Sequence, residues 1–406
     1  METDKKKILE VKNLKTYFYT EEGVVKAVDG VSFNMYEDEV LGLVGETGCG
    51  KSVTALSILQ LVRAPGEIEE GEVIFKNVDL LTLKKKKMRD YRGKDITMIF
   101  QDPLNSLNPV MTVGTQVKEV FELHQREEIY ELLDQKMLEW KNKQNRIKEL
   151  EKKLEDNETN QRLTKEEISD IKNEIEKLEE ETRDRPTYRS ILREKSRKIL
   201  EEVGIPDPEE ILERYPHELS GGMRQRVMIS MALSCNPSIL IADEPTTALD
   251  VTIQAQILDL MKDLKNEYKT SVLMITHDLG VIAEICDRVA VMYSGNIVEY
   301  ATATNLFKNP RHPYTKGLIS AIPTLDKKKK ELDTIRGSVP NLIYPPEGCR
   351  FHPRCDYRLE VCDKVRPLLT QIGESYFVAC HLFDPQYKDS PKYEWGKEEL
   401  ERTRKI

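Results

Sequence analysis

Eight residues, Gly45–Glu46–Thr47–Gly48–Cys49–Gly50–Lys51–Ser52, have the spacing G-x-x-x-x-G-K-S. This spacing suits a loop that holds phosphate. Its glycines let the backbone curl so that successive N–H groups face phosphate oxygens. A helix starting there adds its positive end. Lys51 would reach the β/γ-phosphates, Ser52 would ligate Mg²⁺, and the N–H of Val53 would approach the α-phosphate. Acid chemistry comes from Ser238–Ile239–Leu240–Ile241–Ala242–Asp243–Glu244. Apolar residues running into Asp–Glu describe a buried parallel strand with acid at its C-terminal end. Asp243 can hold the Mg²⁺ shell, and Glu244 can polarise a water for attack on a γ-phosphate. Ser271–Val272–Leu273–Met274–Ile275–Thr276 is another apolar strand, and it ends in His277. Gln101 follows the strand-like Ile96–Phe100 and is placed to touch Mg²⁺ and the attacking water. In Tyr17–Phe18–Tyr19 one ring could stack on a base, sheet packing being the plainer alternative.

The elements that must position these groups are legible. Val40–Leu41–Gly42–Leu43–Val44 reads as a strand ahead of the loop, and Val53–Leu59 as the helix after it. Residues 8–36 alternate as an antiparallel sheet, and 72–79 and 96–100 read as further strands. Between about 127 and 182 Lys and Glu dominate, with no Gly or Pro from Gly114 to Pro186. Ile147, Leu150 and Leu154 on one arm, and Ile168, Ile171, Ile175 and Leu178 on the other, follow the 3-4 spacing of a coiled-coil seam. A polar turn is expected at Asp156–Asn160. A single solvated charged stretch is the alternative.

The chain has 406 residues, 39% hydrophobic and 33% charged, with net charge −9. Two or three domains are expected. The acidic balance argues against general nucleic-acid binding. No 18-residue apolar run offers a membrane span. Met1–Lys7 lacks the apolar core of a signal peptide, so a cytosolic protein is expected. Lys84–Lys87 and Lys327–Lys330 read as solvated loop, with contact to anionic lipid as a lesser reading.

Of seven cysteines, Cys349, Cys355, Cys362 and Cys380 follow C-x₅-C-x₆-C-x₁₇-C. Four clustered thiols in a reducing compartment favour a soft metal centre over disulfides. The spacing is wider than common zinc modules and unlike the short ferredoxin run, so Zn²⁺ and iron–sulfur both stand. Gly348 and Pro353 suit a tight loop, Arg350 and Arg354 could offer charge to an anionic cluster, and His352 and His381 are reserve ligands. Remoteness in sequence from the phosphate loop suggests a structural role.

Taken in order, these motifs resemble the ATP-binding-cassette ATPases. Gly45–Ser52 resembles Walker A, Gln101 the Q-loop, Ile239–Glu244 Walker B with its catalytic glutamate, Ala248–Leu249–Asp250 the D-loop, and His277 the switch histidine. Leu219–Ser220–Gly221–Gly222–Met223–Arg224–Gln225 resembles the signature LSGGQ, with Met223 where the glutamine usually stands. Phe18 falls at the adenine-stacking position, with Tyr17 a near rival. More narrowly, Ser220–Val227, Ala242–Asp250, Asn309–Thr315, Gly337–Pro340 and Gly348–Cys355 are similar to the D-type ATPase subunit of oligopeptide/dipeptide importers, in the peptide/nickel group.

The resemblance implies an α/β P-loop NTPase: a RecA-like core, an antiparallel β subdomain, an α-helical signature subdomain, the inserted antiparallel coiled-coil hairpin and a small Cys-rich C-terminal extension. The implied bounds are 1–300 for the ATPase domain, interrupted by 127–182, then 301–390 for the extension and 391–406 for a polar tail. ATP and Mg²⁺ are the implied cofactors. Some D-subunits hold a [4Fe–4S] cluster in this extension, which tips the cysteines toward iron, with Zn²⁺ the alternative. The implied assembly is a head-to-tail heterodimer with an F-type ATPase on the cytoplasmic face of the membrane. Two transmembrane permease subunits and, indirectly, an extracytoplasmic peptide-binding protein complete it. A nickel or other small-solute importer of the same group is the nearest alternative. A soluble SMC-like cassette is more distant, because the tip here lacks a C-x-x-C hook.

Overall fold

The computed structural model describes residues 6–101, 106–160, 163–247, 249–321 and 335–387. The polar tail 391–406, Asp102–Pro103, Ala248 and the Lys327–Lys330 run lie outside the described residues. The chain divides into two compact units, one from the segments up to Ser106 and from Asn236 onward, the other from Leu107–Cys235.

The first unit holds strands β1 (Lys7–Thr20), β2 (Gly23–Tyr36), β3 (Val40–Val44), β4 (Gly66–Phe75), β5 (Val78–Asp79), β6 (Ile96–Ile99), β7 (Ile239–Asp243), β8 (Ser271–Thr276), β9 (Arg288–Tyr293), β10 (Asn296–Thr302), β11 (Thr370–Gly373) and β12 (Tyr376–Val378). An eight-stranded sheet runs β11-β12-β10-β9-β3-β8-β7-β6. Its β9-β3-β8-β7-β6 part is parallel. Every residue of β3, β7, β8 and β9 is buried, as a parallel sheet covered on both faces requires. The register sets Val44 opposite Thr276, and Asp243 opposite Ile275. The phosphate loop, Asp243–Glu244 and His277 therefore leave the sheet at the same, carboxyl-terminal end.

Beyond β10 the sheet continues antiparallel into β12, with Glu299 opposite Val378. The region after 301 thus adds two strands to the nucleotide-binding sheet. A second, antiparallel sheet runs β2-β1-β4-β5. The single strand expected at 72–79 is a hairpin instead. Lys76 and Asn77 have φ of 45° and 69°, and β4 folds back on β5, Phe75 opposite Val78. Two successive left-handed residues make the tight turn.

The second unit is helical: Val113–His124, Arg126–Asn160, Lys165–Thr182, Tyr188–Glu202, Pro208–Glu213 and Gly221–Leu233. Helices 126–160 and 165–182 pair side by side. Trp140 Nε1 donates to the Thr182 carbonyl at 3.0 Å, Gln144 Nε2 to Thr182 Oγ1 at 2.8 Å, and Arg146 meets Glu174 at 3.0 Å. Ile147 and Leu150 are buried between them. The turn expected at Asp156–Asn160 is helix instead, because the first helix runs through Asn160. Nothing at 156–160 breaks a helix. The stop signal is the Thr164–Glu167 capping box that starts the second one. Among the described residues no helix is long and apolar enough to cross a membrane.

Candidate nucleotide site

The loop after β3 curls over the start of helix Lys51–Ile58. Two of its glycines are required by space. A Cβ on Gly45 (φ 155°) would lie 2.1 Å from the Met292 carbonyl oxygen, and one on Gly50 (φ 104°) 2.2 Å from that of Ala27. Gly50 is the helix N-cap and supplies no side chain to the first N–H groups. They remain donors for an anion. Thr47 and Gly48 are exposed, and Cys49 is fully buried. Lys51 Nζ lies in the curl, donating to the Gly45 and Glu46 carbonyls at 2.8 and 3.2 Å. Val53 follows on the same helix, half-buried.

Ser52 Oγ donates to Asp243 Oδ1 at 3.1 Å, joining loop and strand β7. Burial pushes the pKa of Asp243 up, with the Glu244 charge adding to it and the Ser52 hydroxyl opposing it. A hydroxyl and a carboxylate are hard oxygen donors and fit Mg²⁺.

Glu244 turns out of β7 with φ 47°. Its carboxylate gathers three side chains: His277 Nδ1 donates to Oε1 at 3.1 Å, while Gln101 Nε2 and Thr247 Oγ1 donate to Oε2 at 2.9 Å each. Burial opposes ionisation, but the bonds from His277 and Thr247 outweigh it and hold its pKa below the usual value. Gln101, Glu244 and His277 thus form one cluster beside the Ser52–Asp243 pair. Thr247 was not singled out from sequence, although its spacing of three from Glu244 was visible.

Phe18 packs over Gly66, its cross-strand partner. Tyr17 donates its hydroxyl to Asp29 Oδ1 at 2.7 Å. Asp250 caps helix Val251–Tyr268, accepting from the Ile253 N–H at 3.0 Å. In the helical unit Ser220 caps helix Gly221–Leu233, its Oγ accepting from the Met223 N–H at 3.3 Å. Ser220 and Gly221 are exposed, Gly222 and Met223 half-buried, and Leu219 buried. Gln225 is 1% exposed, so its side chain lies inside the helical unit.

Around the four cysteines, Cys349 and Cys380 border a small apolar cluster containing Cys362, Leu359, Val378, Leu382 and Phe383. The Cys349 N–H donates to the Cys362 carbonyl at 2.8 Å. Burial pushes the Cys349 thiol up to about 12, Cys362 and Cys355 adding to it. Burial likewise raises Cys380. Among the described residues no group of three or more His, Cys, Asp or Glu side chains is arranged to hold a metal ion. His352 Nδ1 lies 3.0 Å from the Cys349 carbonyl, and His381 Nε2 donates to that of Val365 at 2.8 Å. The arginines do not serve the thiols either. Arg350 pairs with Asp29, and Arg354 with Glu46 of the phosphate loop. The cysteine loop, remote in sequence, is adjacent in space.

A glycine-rich loop at the carboxyl edge of a parallel sheet, backed by a serine–aspartate pair, makes this a P-loop nucleotide-binding protein. The sequence comparisons are narrower. The ABC transporter family profile matches residues 28–247, and that of the oligopeptide/dipeptide transporter C-terminal region matches residues 298–362. The chain is 44% identical over 379 residues to the dipeptide transport ATP-binding protein DppD of Bacillus subtilis, covering 93% of this chain and 95% of that one. It is 41% identical over 402 residues to the oligopeptide transport ATP-binding protein OppD of the same organism, covering 98% and 95%. A dimeric ATP-binding cassette solved in a post-hydrolysis state with ADP and Pi shares the fold, with a TM-score of 0.52 at 23% identity over 73% of this chain and 99% of that one. The chain belongs to the ABC transporter family, among the ATP-binding proteins of its oligopeptide and dipeptide transport branch.

Proposed function

We propose that this chain hydrolyses ATP to power uptake of di- and oligopeptides. The observation that carries the reading is identity above 40% across more than nine-tenths of the chain to dipeptide and oligopeptide transport ATP-binding proteins. Gly45–Ser52 and Val53 bind the phosphates, Phe18 faces the base, and Ser52, Asp243 and Gln101 hold Mg²⁺, which neutralises phosphate charge when bound. Glu244 takes the proton of the attacking water, oriented by His277 and Gln101. The Ser220–Gly221–Gly222 turn, exposed at Ser220 and Gly221, and Met223, with Leu219 behind them, meet the nucleotide of a second, F-type ATPase in a head-to-tail dimer. Gln225 shapes that helix from within, and Asp250 lies at the dimer contact. Closure around ATP and reopening after hydrolysis drive two permease subunits at the cytoplasmic face, fed by a peptide-binding protein. The 126–182 helix pair is an inserted coiled-coil hairpin outside this cycle.

Reconstitution in proteoliposomes with permeases, F-type ATPase and binding protein tests the reading. ATP turnover is expected to rise severalfold with peptide-loaded binding protein. Stimulation by nickel alone, or none by peptide, would replace the peptide assignment.

For Cys349, Cys355, Cys362 and Cys380 we propose a [4Fe–4S] centre. The supports are the three thiols of Cys349, Cys362 and Cys380 at one apolar cluster, Cys355 close enough to influence Cys349 and Cys380 electrostatically, and the Cys349–Cys362 backbone bond. Thiolate sulfurs are the donors such a cluster takes, and the cluster would tie these segments together. Anaerobic purification is expected to give about four irons and four sulfides per chain with broad visible absorbance. One zinc without iron would make the site a structural zinc module, and neither metal would leave four unliganded thiols.

A further inference from the structure

Glu46 is the second residue of the phosphate loop, and while its carbonyl accepts from Lys51 inside the curl, its N–H and carboxylate bond to groups outside the loop. Its N–H donates to Tyr314 Oη at 2.9 Å. Its carboxylate takes a two-pronged pair from Arg354, Nη1 to Oε2 at 2.7 Å and Nη2 to Oε1 at 3.1 Å. Both partners come from the chain beyond residue 301. Tyr314 is fully buried, and the Arg354 side chain is 6% exposed. Arg354 is further fixed by the Arg336 carbonyl at 2.8 Å. The loop is pinned a second time three residues on. The Cys49 carbonyl accepts from the Gly295 N–H at 2.9 Å, and the Ser294 carbonyl beside it is held by Arg350. Arg350 and Arg354 lie in the same short segment, Cys349–Cys355.

We propose that Arg354 and Tyr314 are positioning residues for ATP binding, and that the cysteine-bearing segment thereby sets the shape of the phosphate loop. A phosphate loop binds well only if its N–H groups already converge, because ordering a glycine-rich segment on binding costs conformational entropy at every residue fixed. Tethers at Glu46 and Cys49 hold the curl before nucleotide arrives. Arg354 also neutralises a carboxylate that would otherwise face a polyanion. Tyr314 adds no charge, so the two effects are separable.

The inference rests on Lys51 and Ser52 binding the nucleotide. The test is titration of the full-length chain with a fluorescent ATP analogue, together with steady-state ATPase kinetics and thermal unfolding. Arg354→Ala is expected to raise Kd and KM about tenfold while kcat at saturation changes by less than about twofold. Tyr314→Phe, which deletes one hydroxyl, is expected to raise Kd about threefold with a melting temperature lowered by no more than about 5 °C. The double variant Glu46→Gln/Arg354→Ala is expected to stay weak, because the tether is gone although the lone carboxylate is too. Full recovery there would reduce Arg354 to a charge shield and overturn the positioning role. Unchanged Kd in both single variants would overturn the proposal outright. Should Arg354→Ala not fold, Tyr314→Phe alone decides. Lys51→Ala separates the premises: binding lost there but unaltered in the tether variants sinks the coupling, whereas binding kept in Lys51→Ala sinks the site.

Discussion

Glu244→Gln is expected to bind ATP with near-wild-type affinity and to hydrolyse it between about a hundred and ten thousand times more slowly. The substitution removes a base and little else. Glu244 accepts from Gln101, Thr247 and His277. A glutamine with its oxygen at the Oε2 position still accepts from Gln101 and Thr247, and its new amide N–H faces His277 Nδ1, which accepts in the other tautomer. The left-handed backbone at 244 suits glutamine as poorly as glutamate, so no new strain arises. Ser52 and Asp243 are untouched, so Mg²⁺ and the phosphates still find their donors. What disappears is the carboxylate that the His277 and Thr247 bonds hold ionised against its burial. Single-turnover hydrolysis alongside nucleotide binding makes the separation visible. Wild-type turnover would remove Glu244 from its role, and loss of binding would show that it supports the site rather than the chemistry. His277→Ala leaves two donors on Glu244, so its expected loss is smaller.

The parts of this site that were legible in the sequence are those fixed by local pattern. Strands β3, β7 and β8 announce themselves as unbroken apolar runs, because both faces of a parallel sheet are covered. The loop is legible because its glycines stand where backbone carbonyls of Met292 and Ala27 leave no room for a side chain. Local signals were also missed. Lys76–Asn77 makes a hairpin where one strand was expected, and the Thr164–Glu167 capping box marks the turn better than the polar run before it. The pairings between distant charges were not legible at all. Glu46 and Arg354 are 308 residues apart, and Asp29 and Arg350 are 321 apart. From sequence, Arg350 and Arg354 pointed at the cysteines beside them. A guanidinium takes whichever carboxylate the tertiary fold brings to it, and that choice leaves no trace in spacing.

Asp29→Ala should be among the most destabilising single substitutions in the nucleotide-binding unit, costing about 3–5 kcal/mol. Asp29 is 8% exposed on β2. Its carboxylate accepts from Tyr17 Oη at 2.7 Å, from Arg350, and from Arg366 Nη1 at 3.2 Å. The Arg350 side chain is 7% exposed, so truncating Asp29 leaves a buried cation with, among the described residues, the Ser294 carbonyl as its remaining hydrogen-bond partner. Arg366 is 43% exposed and can turn to water, so Arg366→Ala should cost no more than about 1 kcal/mol. The pH dependence runs the same way. Burial alone would raise the Asp29 pKa, but Tyr17, Arg350 and Arg366 outweigh it and hold it below the ordinary value of 3.8. A carboxylate whose folded pKa is lowered stabilises fully above its unfolded pKa and loses that contribution as pH falls through the folded one. Wild type should therefore shed stability below pH 3.8 more steeply than Asp29→Ala, and the two denaturation curves should converge in acid. Equal stability at neutral pH would mean that Arg350 finds sufficient compensation in the Ser294 carbonyl. The turn that supports Cys49 would then be held by a hydrogen bond and not by charge.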